Sequence, residues 1–541
     1  MDPNTFAGLK RLSAGGIDID QPKRLKTDSH DGAAEGTNSR VDPALPKEKN
    51  ISRRRDAAGW AKSRKGKEKD GKNTGRRRGL RQDDPMSEGQ GGSHTEDQTE
   101  KAPRLPKRQC ALLIGYCGTG CNGMQIQRDV RTIEGVLFEA MVKAGAVSQD
   151  NANDPSKVNL GRAARTDAGV HAAGNLVSLK MITAVPGVPD IVAHINAELP
   201  SEIRVWGYVR VQNSFSARLA CDSRKYTYFF PTYLLIPPEP GGKLYQILHQ
   251  QATSDFPTLP FLEDSHSFWS ENEISSTRES DLRRKRNWRI STDQVTLLRE
   301  SIKKFEGTHN FHNFTVGRDF SDRSNQRHMK KIEVSDPAVY GDTEWISVVL
   351  HGQSFMLHQM RKMMSALVLS CRTGTPPEVI DEMYGPRVVN VPKMPSLGLL
   401  LEHPIFGSYN DKVTKVNENL QPTDAEYRPP IDFDIHRDAM NNFKQKHIYD
   451  NMRAIEDRDG VFDAWMHTID SYGGNDLLYL NPKGIIPAAA VIKIGEKRTK
   501  PLKDKKRFDA TGFTDTSKVD TFEEEEEDTV VDKARLAETE G

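Results

Sequence analysis

Apolar residues along this chain first fall into a regular pattern near position 109 and keep it, in two rounds, to about 406. CALLIGY (110–116) is a continuous apolar run of strand length. After a polar stretch, Ile133, Val136, Leu137, Ala140, Met141 and Ala144 recur at the spacing of one helix face. Thr132 stands before them as an N-cap, and Glu134 lies in the first turn, where the helix dipole favours an acid. NLVSLKM (175–181) predicts a strand and PDIVAHINAEL (189–199) a helix. Arg204–Val211 and Lys225–Thr232, rich in Val, Tyr, Phe and Trp, predict two more strands.

From about 236 to 292 the pattern is lost among Pro, Ser and a basic run, RRKR, which predicts a surface insertion. A second round then begins. Val295, Leu298, Ile302 and Phe305 mark a helix, WISVVLHGQSF (345–355) a strand, and MLHQMRKMMSALVLSCRTG (356–374) a helix closed by Gly374, with Pro376 and Pro377 beyond. PEVIDEMYG predicts a short helix, GLLLEHPIF (398–406) a strand, and 434–459 one more polar helix. This order gives an α+β protein of two similar halves meeting at a cleft. The expected boundaries are 1–107 for a disordered basic tail, 108–235 and 293–410 for the halves, and 236–292 for the insertion. A helical extension is expected over 411–500 and an acidic tail over 501–541.

Composition changes this picture mainly at the ends. The chain of 541 residues is 36% hydrophobic and 28% charged, so part of it is expected to stay outside any core. Its net charge of +1 conceals two blocks. Residues 51–81 hold 13 Lys or Arg against 3 Asp or Glu, and Glu523–Asp528 are six consecutive acids. Such blocks are usually solvated tails. PKRLK (22–26) and the RRR runs also suit nuclear import or attachment to nucleic acid. No apolar run reaches about 18 residues, so no membrane span is expected. The first residues lack a secretory pattern. Five cysteines at scattered positions suit a reduced intracellular protein without a disulfide framework.

Two stretches invite a chemical reading. Gly118-Thr119-Gly120-Cys121-Asn122-Gly123 spells G-x-G-x-x-G after a strand. A dinucleotide site needs its helix to begin at the glycines, whereas the first convincing helix begins near Thr132. The glycines therefore read as a tight turn. GRAARTDAGVHAAGN (161–175) sets Arg165 and Asp167 among alanines and glycines, whose bare backbone allows a bulky ligand close to an acid. Composition alone would favour an Arg–Asp pair capping an ordinary loop.

RTDAGVHA, with Gly161-Arg162 before it, resembles the catalytic motif of the TruA-type tRNA pseudouridine synthases. LLIGYCGTGCNGMQIQ, FSARLACDSRKYTY (215–228), GTHNFHNFT (307–315), HGQSFMLHQMRKM (351–363) and SLGLLLE (396–402) resemble its other motifs, in family order. The wording is most similar to the eukaryotic branch, which acts at several tRNA positions in nucleus and mitochondria. The resemblance implies the pseudouridine synthase fold: two RRM-like α/β halves forming a mixed, mainly antiparallel sheet with a central RNA-binding cleft. It implies Asp167 as the catalytic carboxylate, Tyr226 as the tyrosine that packs on the target base, and Arg361 as the arginine paired with the acid. Arg165 is implied to help extrude the base or hold the RNA. Cys117, Cys121 and Asn122 stand in the glycine turn where the family has aromatics.

The implied reaction converts uridine to pseudouridine without gain or loss of atoms, so no cofactor is expected. A structural zinc occurs in some relatives, but Cys117 and Cys121 are the only close cysteine pair and no finger spacing is present. The expected partners are tRNA, with small nuclear RNA and mRNA as further candidates, and an import receptor for the basic tail; a monomer in the nucleus, and in mitochondria as well, is expected. Arg218, Arg224, Lys225, Arg361 and Lys362 flank the motifs and could face phosphates. Two other classes compete. A non-catalytic RNA-binding protein is favoured only by the basic tail and aromatic strands, and no RNP1-like run is present. A glycosidic-bond hydrolase would call for two carboxylates, and the motif shows one.

Overall fold

The computed structural model describes residues 104–251, 267–270, 277–493, 495–496 and 498–509. The expectations for the basic and acidic blocks lie outside the described residues.

The first round supplies β1 (Lys107–Tyr116), α1 (Ile133–Lys143), β2 (Gly161–Arg162), β3 (His171–Ile182), α2 (Ile191–Glu198), β4 (Ile203–Arg210) and β5 (Ser223–Pro231). Next come α3 (Lys243–Gln251), α4 (Ser267–Ser270) and α5 (Arg278–Asn287). The second round supplies α6 (Thr292–Ile302), β6 (Gly307–Asn310), β7 (Gln326–Val334), β8 (Ala338–Tyr340), β9 (Thr343–Gly352), α7 (Gln359–Thr373), α8 (Glu378–Glu382) and β10 (Leu399–Ile405). α9 (Gly407–Asn417), α10 (Arg437–Phe443), α11 (Asp450–Asp459) and α12 (Val461–Asp470) follow.

The strands form one sheet in the order β4-β1-β3-β10-β5-β9-β7-β6, with β2 on β3 and β8 on β9. Neighbours are antiparallel except β3 and β10, which run parallel with Leu400 opposite His171. That junction sits mid-sheet and joins the two halves. β5 belongs to the first round in sequence but pairs with β10 and β9, so Tyr226 lies opposite Leu401 and Leu350. The halves therefore interlock.

The sheet is covered on both faces. Along β1, Leu112 and Ile114 enter one core cluster with α1 and α7, while Ala111 and Leu113 enter a second with α10. Burial on both sides is why CALLIGY is continuously apolar instead of alternating. All fifteen residues of α7 are buried, as expected of a helix enclosed on every side. It begins three residues later than the sequence suggests. His358 takes a left-handed conformation, φ 59°, and starts the helix there. Gly374, φ 65°, closes it.

Two stretches assigned to the surface by composition contribute to the packed body. Within 236–292, α3 buries Leu244, Ile247 and Leu248. The RRKR run lies on α5, where Lys285 Nζ is 2.7 Å from Asp463 Oδ1 and Arg286 donates to the carbonyls of Glu456 and Asp457. Its charges are matched by groups about 170 residues away, which local pattern does not reveal. Beyond 500, Phe508 is buried in the core and Leu502 packs against it; the tail boundary drawn at 501 falls before both.

Glu456, at the end of α11, is wholly buried. It accepts from the Tyr233 hydroxyl and, at 2.9 Å, from the Phe462 N–H that opens α12. Burial pushes its carboxyl up to about 7, against the partial relief of those bonds. The folded state thus holds a proton that the unfolded chain releases at lower pH, and stability falls as pH rises from about 4.5 to about 7. Glu456→Gln keeps the shape and carries no charge. Its stability relative to the wild type is expected to improve by roughly 3 kcal/mol between pH 4 and pH 8, at about 1.4 kcal/mol per pH unit. Urea titrations at both pH values measure it; a pH-independent difference would rule out the linkage.

Candidate active site

The loop between β2 and β3 carries Arg165, Thr166 and Asp167, and its shape is imposed from below. Asn175 on β3 accepts from the Ala164 N–H and donates to the Ala164 carbonyl. Tyr116 at the end of β1 takes a bond from Asn175 and shares one with Thr166, 2.9 Å away. Gly169, φ 76°, completes a turn in which the Val170 N–H bonds the Asp167 carbonyl.

The glycine turn after β1 packs on this loop. A Cβ at Gly118 would come within 2.1 Å of the Val170 carbonyl, and one at Gly123, φ 82°, within 2.7 Å of the Thr166 carbonyl. The Met124 N–H bonds that Thr166 oxygen and the Gly169 N–H bonds the Cys121 carbonyl. These glycines cradle backbone, in keeping with the turn reading. Glu134 stands in the first turn of α1, as expected, and does a second job there. It is fully buried beneath the loop, 2.5 Å from Arg162 Nε, and accepts from the Ile126 N–H.

Asp167 lies in the wall of a cavity of about 320 Å³, within the range of small-ligand pockets. Arg165, Tyr226, Met124, Phe355, His358 and Asp509 line it too. Two nitrogen groups converge on Asp167 Oδ2: His358 Nδ1 at 2.7 Å and Arg361 Nη1 at 3.7 Å. Burial by itself would raise the Asp167 carboxyl. The charge and hydrogen bond of His358, then the charges of Arg361 and Lys393, more than reverse this and hold it well below the usual carboxylate range. Asp167 is therefore an ionised, aimed carboxylate at neutral pH, still 21% exposed.

The structure thus brings together Asp167, Arg165 and Tyr226 at the cavity, with Arg361 behind. Tyr226 is 3% exposed and meets Phe355 edge-on, ring centres 5.1 Å apart. Tyr228, two residues on, is tied to the Pro395 carbonyl at 2.6 Å and serves the core. Arg361 is fully buried and donates through Nε to the Met394 carbonyl and through Nη2 to Asp509, each at 2.6 Å.

Of the flanking cations, Arg218 is exposed and Lys225 half-buried. Arg224, Arg361 and Lys362, all buried, do not fit the phosphate role. Arg224 is buried and clamps the Ala163 carbonyl, at 3.2 and 2.7 Å, to the Gln353 carbonyl, at 3.0 Å. It fastens the Asp167 loop to the second half of the sheet. Lys362 is buried in α7, where desolvation lowers its pKa.

Sequence reasoning missed His358, Lys393 and Asp509. His358 stands three residues before Arg361, a spacing that puts two side chains on one side of a helix start. Its left-handed backbone costs on the order of 1–2 kcal/mol for a residue with a side chain. No cluster of three or more His, Cys, Asp or Glu suited to a metal occurs among the described residues.

A family model described as tRNA pseudouridine synthase matches residues 301–407. The tRNA pseudouridine synthase 1 of Candida glabrata is 44% identical over 413 residues, covering 69% of this chain and 72% of the relative. That of Saccharomyces cerevisiae is 42% identical over 409 residues, covering 69% and 73%. The tRNA pseudouridine(27/28) synthase of Saccharomyces cerevisiae is 37% identical over 373 residues, covering 65% of this chain and 96% of its own length. The chain belongs to the TruA-type family of tRNA pseudouridine synthases.

Proposed function

We propose that this protein isomerises uridine to pseudouridine in tRNA, with Asp167 as the carboxylate that acts on the reacting nucleotide. The observation that carries the reading is the ionised Asp167 in the cavity wall, hydrogen-bonded at one oxygen to His358 with the Arg361 guanidinium 3.7 Å behind it.

In this reaction the N1–C1′ bond breaks, the uracil turns, and C5 bonds to C1′. C5 gives up a proton and N1 gains one, so atoms and electrons balance without a redox partner or a nucleotide. The carboxylate serves by attacking C1′, by attacking C6, or by taking the C2′ proton as uracil leaves, which forms a glycal intermediate. All three routes need it deprotonated and directed. Stacked RNA hides C1′, so the nucleotide must swing out of the helix into a pocket. Tyr226 offers a ring to the displaced base, and Arg165 a cation at the cavity wall for the strand that remains. Small nuclear RNA and mRNA are included as substrates in the proposal.

The test uses tRNA transcribed with uridine tritiated at C5. Purified protein is expected to release tritium to water in step with new pseudouridine. Pseudouridine-free tRNA after prolonged incubation with folded protein would reject the function, and the same assay with small nuclear RNA or mRNA decides those substrates.

A further inference from the structure

We propose that Asp509 is a positioning residue of this active site. It holds the Arg361 guanidinium where it lends charge to Asp167 without closing on it, and so leaves the carboxylate free to react. The inference rests on the reading of Asp167 as the acting group.

Residue 509 reaches the site because the chain before it is tied down at several points. Phe508 is buried, and Ser396 Oγ donates to the carbonyls of Phe508 and Asp509, both at 3.2 Å. The Lys393 N–H bonds Asp504 Oδ1 at 3.0 Å. At the end of this strap, Asp509 accepts from Arg361 Nη2 and from Lys393 Nζ, each at 2.6 Å, and its side chain borders the Asp167 cavity. Arg361 is thereby held at Nε by Met394 and at Nη2 by Asp509, while Nη1, fully enclosed, has no hydrogen-bond partner among the described residues. That nitrogen stops 3.7 Å from Asp167 Oδ2, beyond bonding distance.

A guanidinium beside a single carboxylate tends to form the two-bonded fork. Such a fork would occupy both Asp167 oxygens and turn them from the cavity. Asp509 competes for the same cation and prevents it. Lys393 in turn balances Asp509, so the chain Asp167–Arg361–Asp509–Lys393 alternates in sign.

Full-length Asp509→Asn, Asp509→Glu and Asp167→Asn proteins are compared in single turnover with saturating protein over C5-tritiated tRNA, alongside tRNA affinity and thermal unfolding. Asp509→Asn is expected to lower the rate constant by about tenfold to a hundredfold, the scale of a misplaced reacting group. The amplitude and tRNA affinity stay as in the wild type, and Asp509→Glu recovers part of the rate. A purely structural role would instead lower the thermal unfolding transition at an unchanged rate constant, and that overturns the proposal. An Asp509→Asn rate constant within about twofold of wild type overturns it as well. If Asp167→Asn keeps full activity, the reading of Asp167 fails on its own evidence, independently of Asp509.

Discussion

Asp167→Asn is expected to bind tRNA and form no pseudouridine, with a rate at least about a thousandfold below wild type, as when a reacting group is removed from an enzyme. The amide has the shape of the carboxylate but neither its charge nor its basicity. It can still accept from His358, so the loop held by Tyr116, Asn175 and Arg224 keeps its course. Affinity for tRNA is expected to stay within about tenfold, because phosphate contacts dominate binding. Filter binding and pseudouridine analysis on one preparation separate the two effects. Asp167 also predicts the acid side of the pH profile in the wild type. Its carboxyl is held below the ordinary range, so its ionisation does not limit the rate between pH 5 and pH 8. An acid limb near pH 5 that moves with substitutions at 167 would contradict this.

Arg361→Met is expected to lose both stability and activity. The guanidinium is completely buried between Asp167 and Asp509. Taking one partner from a buried charge set typically costs about 3–5 kcal/mol, since the remaining charges stay desolvated. Asp509 retains Lys393 and Asp167 retains His358, so each carboxylate loses one of two close partners. Without Arg361 the Asp167 carboxyl moves upward, because burial opposes the charge and one of the opposing cations is gone. The sign of the linkage follows. Asp167 has a depressed folded pKa, so its contribution is present at neutral pH and lost as pH falls through the folded value; the variant loses less on acidification than the wild type. Urea titrations at pH 7 and at pH 3, below the ordinary carboxylate value, measure both points. Arg361→Lys keeps a charge without the planar fork and is expected to fall between the two. An Arg361→Met protein within about 1 kcal/mol of wild type at pH 7 would refute the buried-pair argument.

Much of the fold was legible because burial leaves a local trace. β1 is covered on both faces and reads as an unbroken apolar run; α1 shows one apolar face; α7 ends at a glycine. The glycine turn could be separated from a phosphate site by where the next helix starts. The interlocking of β5 into the other half was not legible, since strand order depends on pairing partners far along the chain. Asp167 stood out by its bare surroundings, but its role and that of Arg361 came from the resemblance of several motifs in order. His358 escaped because nothing in HQMR announces a left-handed backbone. Lys393 and Asp509 escaped for a different reason. They are 116 residues apart, and Asp509 lies in polar sequence 148 residues from the arginine it holds. A polar segment that packs through ion pairs has the composition of a tail.

The central claim, that the carboxylate of Asp167 performs the chemistry, is tested most directly by tritium release in a single turnover. Asp167→Asn protein is held in excess over C5-tritiated tRNA, so binding is complete and only the reaction is observed. The account predicts that bound tRNA keeps its tritium over many wild-type half-times. Release at the wild-type rate would place the reacting group elsewhere.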